Sequence, residues 1–263
     1  MKDVQNQSDT RGVEIQKVGI KGFELPLTIQ RKDKEDIVIY SSATAGVSLP
    51  AHYKGTHMSR FVEVLNEWRS KKTLGIDTKG CVEAIIKKLD AKSGYLKLDF
   101  KYFIDKKAPV TGISAPMCYD CTFEGILDNY GEEDEEYRFY LGVKVPVTTL
   151  CPCSKEISEY GAHNQRAIVS VKVTYPEDEH IWLEDLVKDI EKCASCELFP
   201  LLKREDEKFV TEKAYNNPKF VEDVLRDVVL LLRNNDIIDS FEVECESLES
   251  IHNHSAWAYQ QEN

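Results

Sequence analysis

No run of apolar residues in this chain approaches the roughly 20 that a membrane-crossing helix needs. The opening residues, MKDVQNQSDTRG, also lack the apolar centre of an export signal. Both absences point to a cytoplasmic protein with no membrane partner, and residues 1–13 read as a polar leader. A basic excess is missing too: 34 Lys and Arg stand against 46 Asp and Glu, a formal net charge of −12. Broad binding to nucleic acid or to an anionic membrane needs an extended basic face, so both are excluded. A local basic pocket for a phosphorylated small molecule is still allowed. Nor is there a compact zinc knuckle. Cys118 and Cys121 make one CxxC pair and Cys193 and Cys196 another, but the pairs lie far apart, each inside what reads as regular structure. Eight cysteines could staple a short exported domain, yet this chain has 263 residues and no export signal, so reduced thiols are expected. Cys81, Cys118, Cys193 and Cys245 are expected to be buried and inert.

What is present describes an ordinary globular protein, 42% hydrophobic and 30% charged, long enough for one large domain or two modules. Extended segments are expected at Glu14–Arg31 and at Asp36–Leu49, the latter rich in β-branched residues and closed by Pro50. A helix follows, with Ser59 as its N-cap and Phe61, Val62, Leu65 and Trp68 at helical spacing. A second spans Thr78–Ala91 on the stripe Cys81, Val82, Ile85, Ile86 and Leu89. Tyr95–Ile104 alternates as a strand should, and Met117–Leu127 makes another. After an acidic break at Asn129–Glu136 the order repeats. Strands are expected at Tyr137–Thr149 and Ala167–Tyr175, helices at Leu183–Phe199 and Phe220–Asn234, and strands at Phe241–Leu248 and Ala256–Gln260.

The fold class is therefore α+β: two tandem modules, 14–130 and 131–263, each an antiparallel sheet with two helices on one face. The helix links differ. Ser70–Asp77 is short, whereas Leu201–Lys219 is a long charged stretch holding Lys203, Arg204, Glu205, Glu207 and Glu212, expected to be a functional or disordered loop.

The densest chemistry lies in Pro146–Arg166, PVTTLCPCSKEISEYGAHNQR. A strand runs into Cys151 and Cys153 around Pro152, which cannot donate to a sheet and so ends or bulges the strand there. His163 and Arg166 follow at the mouth of the next strand. Taken alone, this is equally a redox pair, a nucleophile or half of a metal site. His252 and His254, two apart, share a face if their segment is extended, and an imidazole titrating near neutral pH can donate a proton.

Five strings, VGIKG (Val18–Gly22), GTHMSRFVEVLN (Gly55–Asn66), Pro146–Arg166, SCELFPLLKREDEKFVTEKAYNNPKFVED (Ser195–Asp223) and IHNHSAWA (Ile251–Ala258), resemble the type IB GTP cyclohydrolases. The likeness spans nearly the whole chain, and long unusual strings in the same order make it specific. It implies a tunnelling-fold enzyme of two tandem modules, a homotetramer with sites at subunit interfaces. The implied reaction converts GTP and water to 7,8-dihydroneopterin triphosphate and formate, the entry to folate biosynthesis, with a divalent metal, manganese, zinc or iron(II).

By resemblance the metal ligands are Cys151, His163 and Glu207, and Glu222 is the acid that anchors the purine through its N–H edge. His254, or His252 beside it, is the candidate proton donor. His57 and Arg60 at a helix start, with Lys155, Arg166 and Lys203, are candidates for holding the triphosphate. Cys153 is placed near the site without being a principal ligand, and the CYDC run at Cys118–Cys121 matches no part of the family pattern. Two rival readings stay open. A tunnelling-fold nitrile reductase would use Cys151 as a covalent nucleophile with NADPH, and a non-catalytic scaffold would bind metal alone.

Overall fold

The computed structural model describes residues 5, 7–69 and 77–263. In chain order the elements are β1 (Ile15–Ile29), β2 (Ile37–Leu49), α1 (Met58–Trp68), α2 (Thr78–Leu89), β3 (Gly94–Lys107), β4 (Ser114–Asp128) and β5 (Glu136–Leu150). They continue with α3 (Pro152–Ile157), β6 (Asn164–Thr174), α4 (Leu183–Lys192), β7 (Cys196–Glu197), α5 (Arg204–Asn216), α6 (Val221–Arg233), β8 (Ser240–Ser247) and β9 (Ala256–Glu262). This is a mixed α+β chain. Its strands follow the order β1-β2-β3-β4-β5-β6-β8-β9, with β7 on β5. The pairs β1–β2, β2–β3, β5–β7, β6–β8 and β8–β9 are antiparallel. No helix among the described residues is long and apolar enough to cross a membrane.

The chain divides into two compact units, Met1–Lys101 with Thr122–Leu141, and Tyr102–Cys121 with Gly142–Asn263. In the first, β2 buries Ile39, Ala43, Ala45, Val47 and Leu49, and β3 buries Leu96, Leu98 and Phe100, one face of each strand. Onto that unit's core α1 brings Phe61, Val64, Leu65 and Trp68, and α2 brings Cys81, Val82, Ile85 and Ile86. α2 passes so close to the start of β3 that a Cβ on Gly94 would stand 2.7 Å from Ile86 Cγ1, so only glycine fits. Asp77 caps α2 by accepting from Gly80 N at 2.9 Å. The expected cap of α1 is corrected: His57 is the extended residue at its start and Ser59 is already helical. The link at 70–76 lies outside the described residues. Part of the leader is tied down, since Ser8 bridges Tyr53 and Asp9 N donates to His52 O at 3.0 Å.

In the second unit, β6 and β8 pair in register, Val169 on Cys245 and Val171 on Val243. α6 lies on β8 and buries Val224, Val228 and Leu232, and α4 beside α6 buries Leu186, Val187 and Ile190. Three expectations are overturned here. α4 ends at Lys192 rather than near Phe199, because Ser195 N donates to Thr148 O at 3.1 Å and Cys196 pairs with Thr148 as β7. Strand pairing overrides the apolar pattern there. The stretch Leu201–Lys219 is not a loop, since α5 fills most of it. Cys118 is exposed, unlike Cys81, Cys193 and Cys245. Burial pushes the Cys193 thiol up to about 11 and that of Cys245 to about 12, so both stay protonated and inert.

Candidate active site

β5 ends at Leu150 and the chain turns at once into α3. Pro152, with φ already helical and no N–H to satisfy, takes the first helical position. Cys151 stands just outside as N-cap, and its Sγ accepts from Ser154 N at 3.4 Å. Ser154 closes the loop: its hydroxyl donates to Cys151 O at 3.1 Å and accepts from His163 N at 3.2 Å. Cys151 N donates to His163 O at 3.1 Å. Thiol and imidazole are thus joined through their main chains.

His163 Nδ1 lies 2.9 Å from Gln165 Oε1 and 3.5 Å from Ser250 Oγ. The Gln165 amide donates onward to Ser247 Oγ (3.3 Å) and Glu249 Oε1 (3.2 Å), which leaves Oε1 as an acceptor. Gln165 Oε1 therefore accepts from His163 Nδ1, and Nε2 takes no part in that bond. Ligating histidines are held in this manner, ordered through one nitrogen and presenting the other. Gln165 lies in the Pro146–Arg166 stretch, where residue type alone gives it no role. Its i+2 spacing from His163 in extended chain is the signal that finds it.

The carboxylate candidate, Glu207, belongs to α5. Glu207 is exposed in its first turn, and Val210 and Ala214 follow at i+3 and i+7 on the same helical face. Those two pack with Leu150, Cys196 and Ala162. Leu150 precedes Cys151 and Ala162 precedes His163, so the face bearing Glu207 is laid on the loop bearing the thiol and imidazole. Lys155, half-buried in α3, donates to Tyr215 O at 2.5 Å and lies 4.3 Å from the Tyr215 ring centroid, tying the same loop to the far end of α5. At the near end the fully buried Asp206 accepts from Val110 N, Thr111 N, Thr111 Oγ1 and Lys203 N. Burial would raise its carboxyl, but those bonds outweigh it and hold the group well below the usual range. Among the described residues, no group of three His, Cys, Asp or Glu side chains is drawn together closely enough to hold a metal ion. Cys151 and His163 are a pair, and Glu207 lies on the helix packed over their loop.

The other candidates are distributed as follows. Glu222 is exposed in the first turn of α6, near enough that its charge helps raise the Cys245 thiol after burial. His252 and His254 lie in the bend between β8 and β9, not in an extended strand as expected. They nevertheless share a side, with rings stacked at 5.1 Å and 7°. Lys203 precedes α5, and Arg166 is exposed in β6 with its carbonyl accepting from Leu248 N at 2.8 Å. His57 and Arg60 belong to the first compact unit. They line a cavity of about 370 Å³ between the start of α1 and the end of α2, where Arg60 donates to Lys88 O at 3.4 Å.

Over residues 1–258 the chain matches the family model described as type I GTP cyclohydrolase FolE2. GTP cyclohydrolase FolE2 of Geotalea uraniireducens is 49% identical over 258 residues, 98% of this chain and 92% of that protein. The protein of the same name from Thiobacillus denitrificans is 49% identical over 260 residues, 98% of this chain and 93% of its own. Among solved structures, a uricase from Bacillus fastidious superposes with a TM-score of 0.57 at 8% identity, covering 94% of this chain and 92% of that one. Urate oxidase from Bacillus sp. TB-90 reaches 0.51 at 8% identity, covering 94% and 98%. At such identities the likeness speaks for the fold alone.

Proposed function

The chain belongs to the type I GTP cyclohydrolase FolE2 family and is a GTP cyclohydrolase, and on that premise we propose that it is the type IB, metal-dependent enzyme. Its reaction takes GTP and water to 7,8-dihydroneopterin triphosphate and formate, the first step of the pterin branch of folate biosynthesis. The reading includes two tandem tunnelling-fold modules, 14–130 and 131–263, a homotetramer with sites at subunit interfaces, and a cytoplasmic setting.

One observation carries it: the main-chain tie between Cys151 and His163, with His163 Nε2 presented and Glu207 on the facing helix. Thiolate, imidazole and carboxylate form a mixed donor set that suits manganese, zinc or iron(II) without demanding one of them. Cys151, His163 and Glu207 would hold the ion. A divalent ion there supplies Lewis acidity toward water. The protein's own groups do the rest. Glu222 accepts from the N–H edge of guanine and fixes the ring. One imidazole of the stacked pair, His254 with His252 behind it, delivers a proton to a ring nitrogen as the bond to C8 breaks. Basic groups drawn from His57, Arg60, Lys155, Arg166 and Lys203 bind the triphosphate, with Lys155 also holding Tyr215.

The test is formate release from GTP by chelator-stripped protein, refilled with manganese and zinc in parallel. Release only with metal is the expected result. Equal release without metal would remove the metal from the reading, and NADPH-dependent reduction of a nitrile without formate would replace it by the covalent chemistry of Cys151.

A further inference from the structure

Asp206 and Glu207 are neighbours with opposite surroundings, one fully buried and the other exposed. A buried carboxylate is costly unless its oxygens are satisfied, and those of Asp206 are. Oδ2 accepts from Lys203 N at 3.0 Å, the reach-back bond of an ordinary helix start. That bond alone would make Asp206 a cap. The other three come from the β3–β4 turn: Val110 N at 2.8 Å and Thr111 N at 3.0 Å to Oδ1, and Thr111 Oγ1 at 2.7 Å to Oδ2. The turn is firm in itself, since Ala108 N donates to Ile113 O at 2.8 Å and Gly112 N to Ala108 O at 3.1 Å.

The segment leading to α5 is held from the same strand. Lys106 Nζ donates to Leu198 O at 2.6 Å and pairs with the buried Glu191 at 2.7 Å, which also accepts from Tyr119 Oη at 2.8 Å. α5 buries almost no apolar surface of its own, only Ala214 besides Asp206. Beyond the contact of Val210 and Ala214 with Leu150 and Cys196, its rotation about its axis is set by polar ties, and at the first turn the tie is Asp206. A helix advances about 100° per residue, so fixing Asp206 inward against the turn also fixes the direction in which Glu207 leaves the helix.

We propose that Asp206, clamped by Val110 and Thr111, is a positioning residue that aims Glu207 at the Cys151–His163 pair and thereby sets the affinity for the metal ion. The proposal rests on Glu207 being a ligand, as read above. Residues that orient metal ligands typically account for about 10- to 100-fold in affinity.

The experiment is titration of chelator-stripped full-length protein with Mn²⁺, with the melting temperature of the metal-free protein followed in parallel. Asp206→Asn keeps the size but puts an amide where Lys203 N and Thr111 Oγ1 donate, and should weaken Mn²⁺ about 10- to 100-fold. KM for GTP at saturating Mn²⁺ should stay near wild type. Should Asp206→Asn fold poorly, Thr111→Val, at an exposed turn, gives a smaller loss in the same direction, and Thr111→Ser restores the affinity. A lower melting temperature with unchanged Mn²⁺ affinity in Asp206→Asn and Thr111→Val would overturn the proposal and leave only a structural cap. Glu207→Gln separates the two levels. If it loses Mn²⁺ while Asp206→Asn does not, the positioning role alone fails; if Glu207→Gln binds normally, the ligand reading fails and the positioning role with it.

Discussion

Two helices of nearly equal length are held by opposite means. α2, with 12 residues, buries Thr78, Cys81, Val82, Ile85 and Ile86 and is fixed by its apolar stripe. α5, with 13, buries only Asp206 and Ala214 and is fixed by hydrogen bonds at both ends and by Lys213, which pairs with Glu197 at 2.5 Å. An apolar stripe gives stability and leaves little surface for anything else. Polar ties give less stability but set direction, and they leave a face of the helix open for a ligand. On the proposed ligand set, the helix that carries Glu207 is one that buries little.

The contrast can be broken from either side. Ile85→Ala, at a site with no exposure, should cost about 2–5 kcal/mol of stability in denaturant titration while bound metal per folded chain stays constant. A large loss of metal in that variant would undo the separation of roles. α6 is an informative intermediate, anchored by Val224, Val228 and Leu232 like α2 yet carrying Glu222 at its start. Glu222→Ala should weaken GTP about 10- to 100-fold in a binding assay, the worth of hydrogen bonds to a charged acceptor, with metal and stability kept. Unchanged GTP affinity would count against the purine-anchor role. Val210→Ala, partly buried on the core-facing side of α5, should cost only about 1 kcal/mol, yet lower Mn²⁺ affinity because it loosens the seat of Glu207. A stability loss with no change in metal would argue that the seat is irrelevant.

The smallest expected effect concerns pH. Burial would raise the Glu197 carboxyl, but its bond from Lys213 and its own backbone N–H bring it below the usual range. A folded value below the unfolded one contributes stability above the unfolded value, near 4.3, and that stability is lost as pH falls through the folded value. Melting temperature should therefore drop less steeply on acidification in Glu197→Gln than in wild type. Parallel curves would mean the pair contributes nothing to holding α5.

The same contrast explains what could be read in the amino-acid order. β3 and α2 were legible because each alternates or repeats its apolar residues with the period of its backbone. α5 has no helical signature in the sequence because Val210 and Ala214 are the only apolar residues it lays on the core, and its bonds to Val110 and Thr111 come from a distant turn. Ser59 has the chemistry of a cap for α1, but the helix begins at Met58, two residues too early for it. Cys118 looked buried because its strand is apolar overall, yet alternation turns it outward while Tyr119 and Cys121 face inward. Cys151, His163 and Glu207 were reached through resemblance. Asp206 and Gln165 were not, since what marks them is the set of partners they meet only in the folded chain.

The central claim is that α5 brings a third ligand to the paired thiol and imidazole. Elemental analysis of purified wild type, Cys151→Ser, His163→Ala and Glu207→Ala tests it most directly. Bound manganese or zinc should be present in wild type and fall sharply in all three variants, Glu207→Ala included. Full metal retained in Glu207→Ala, with loss in the other two, would contradict the account and leave α5 without a role at the metal.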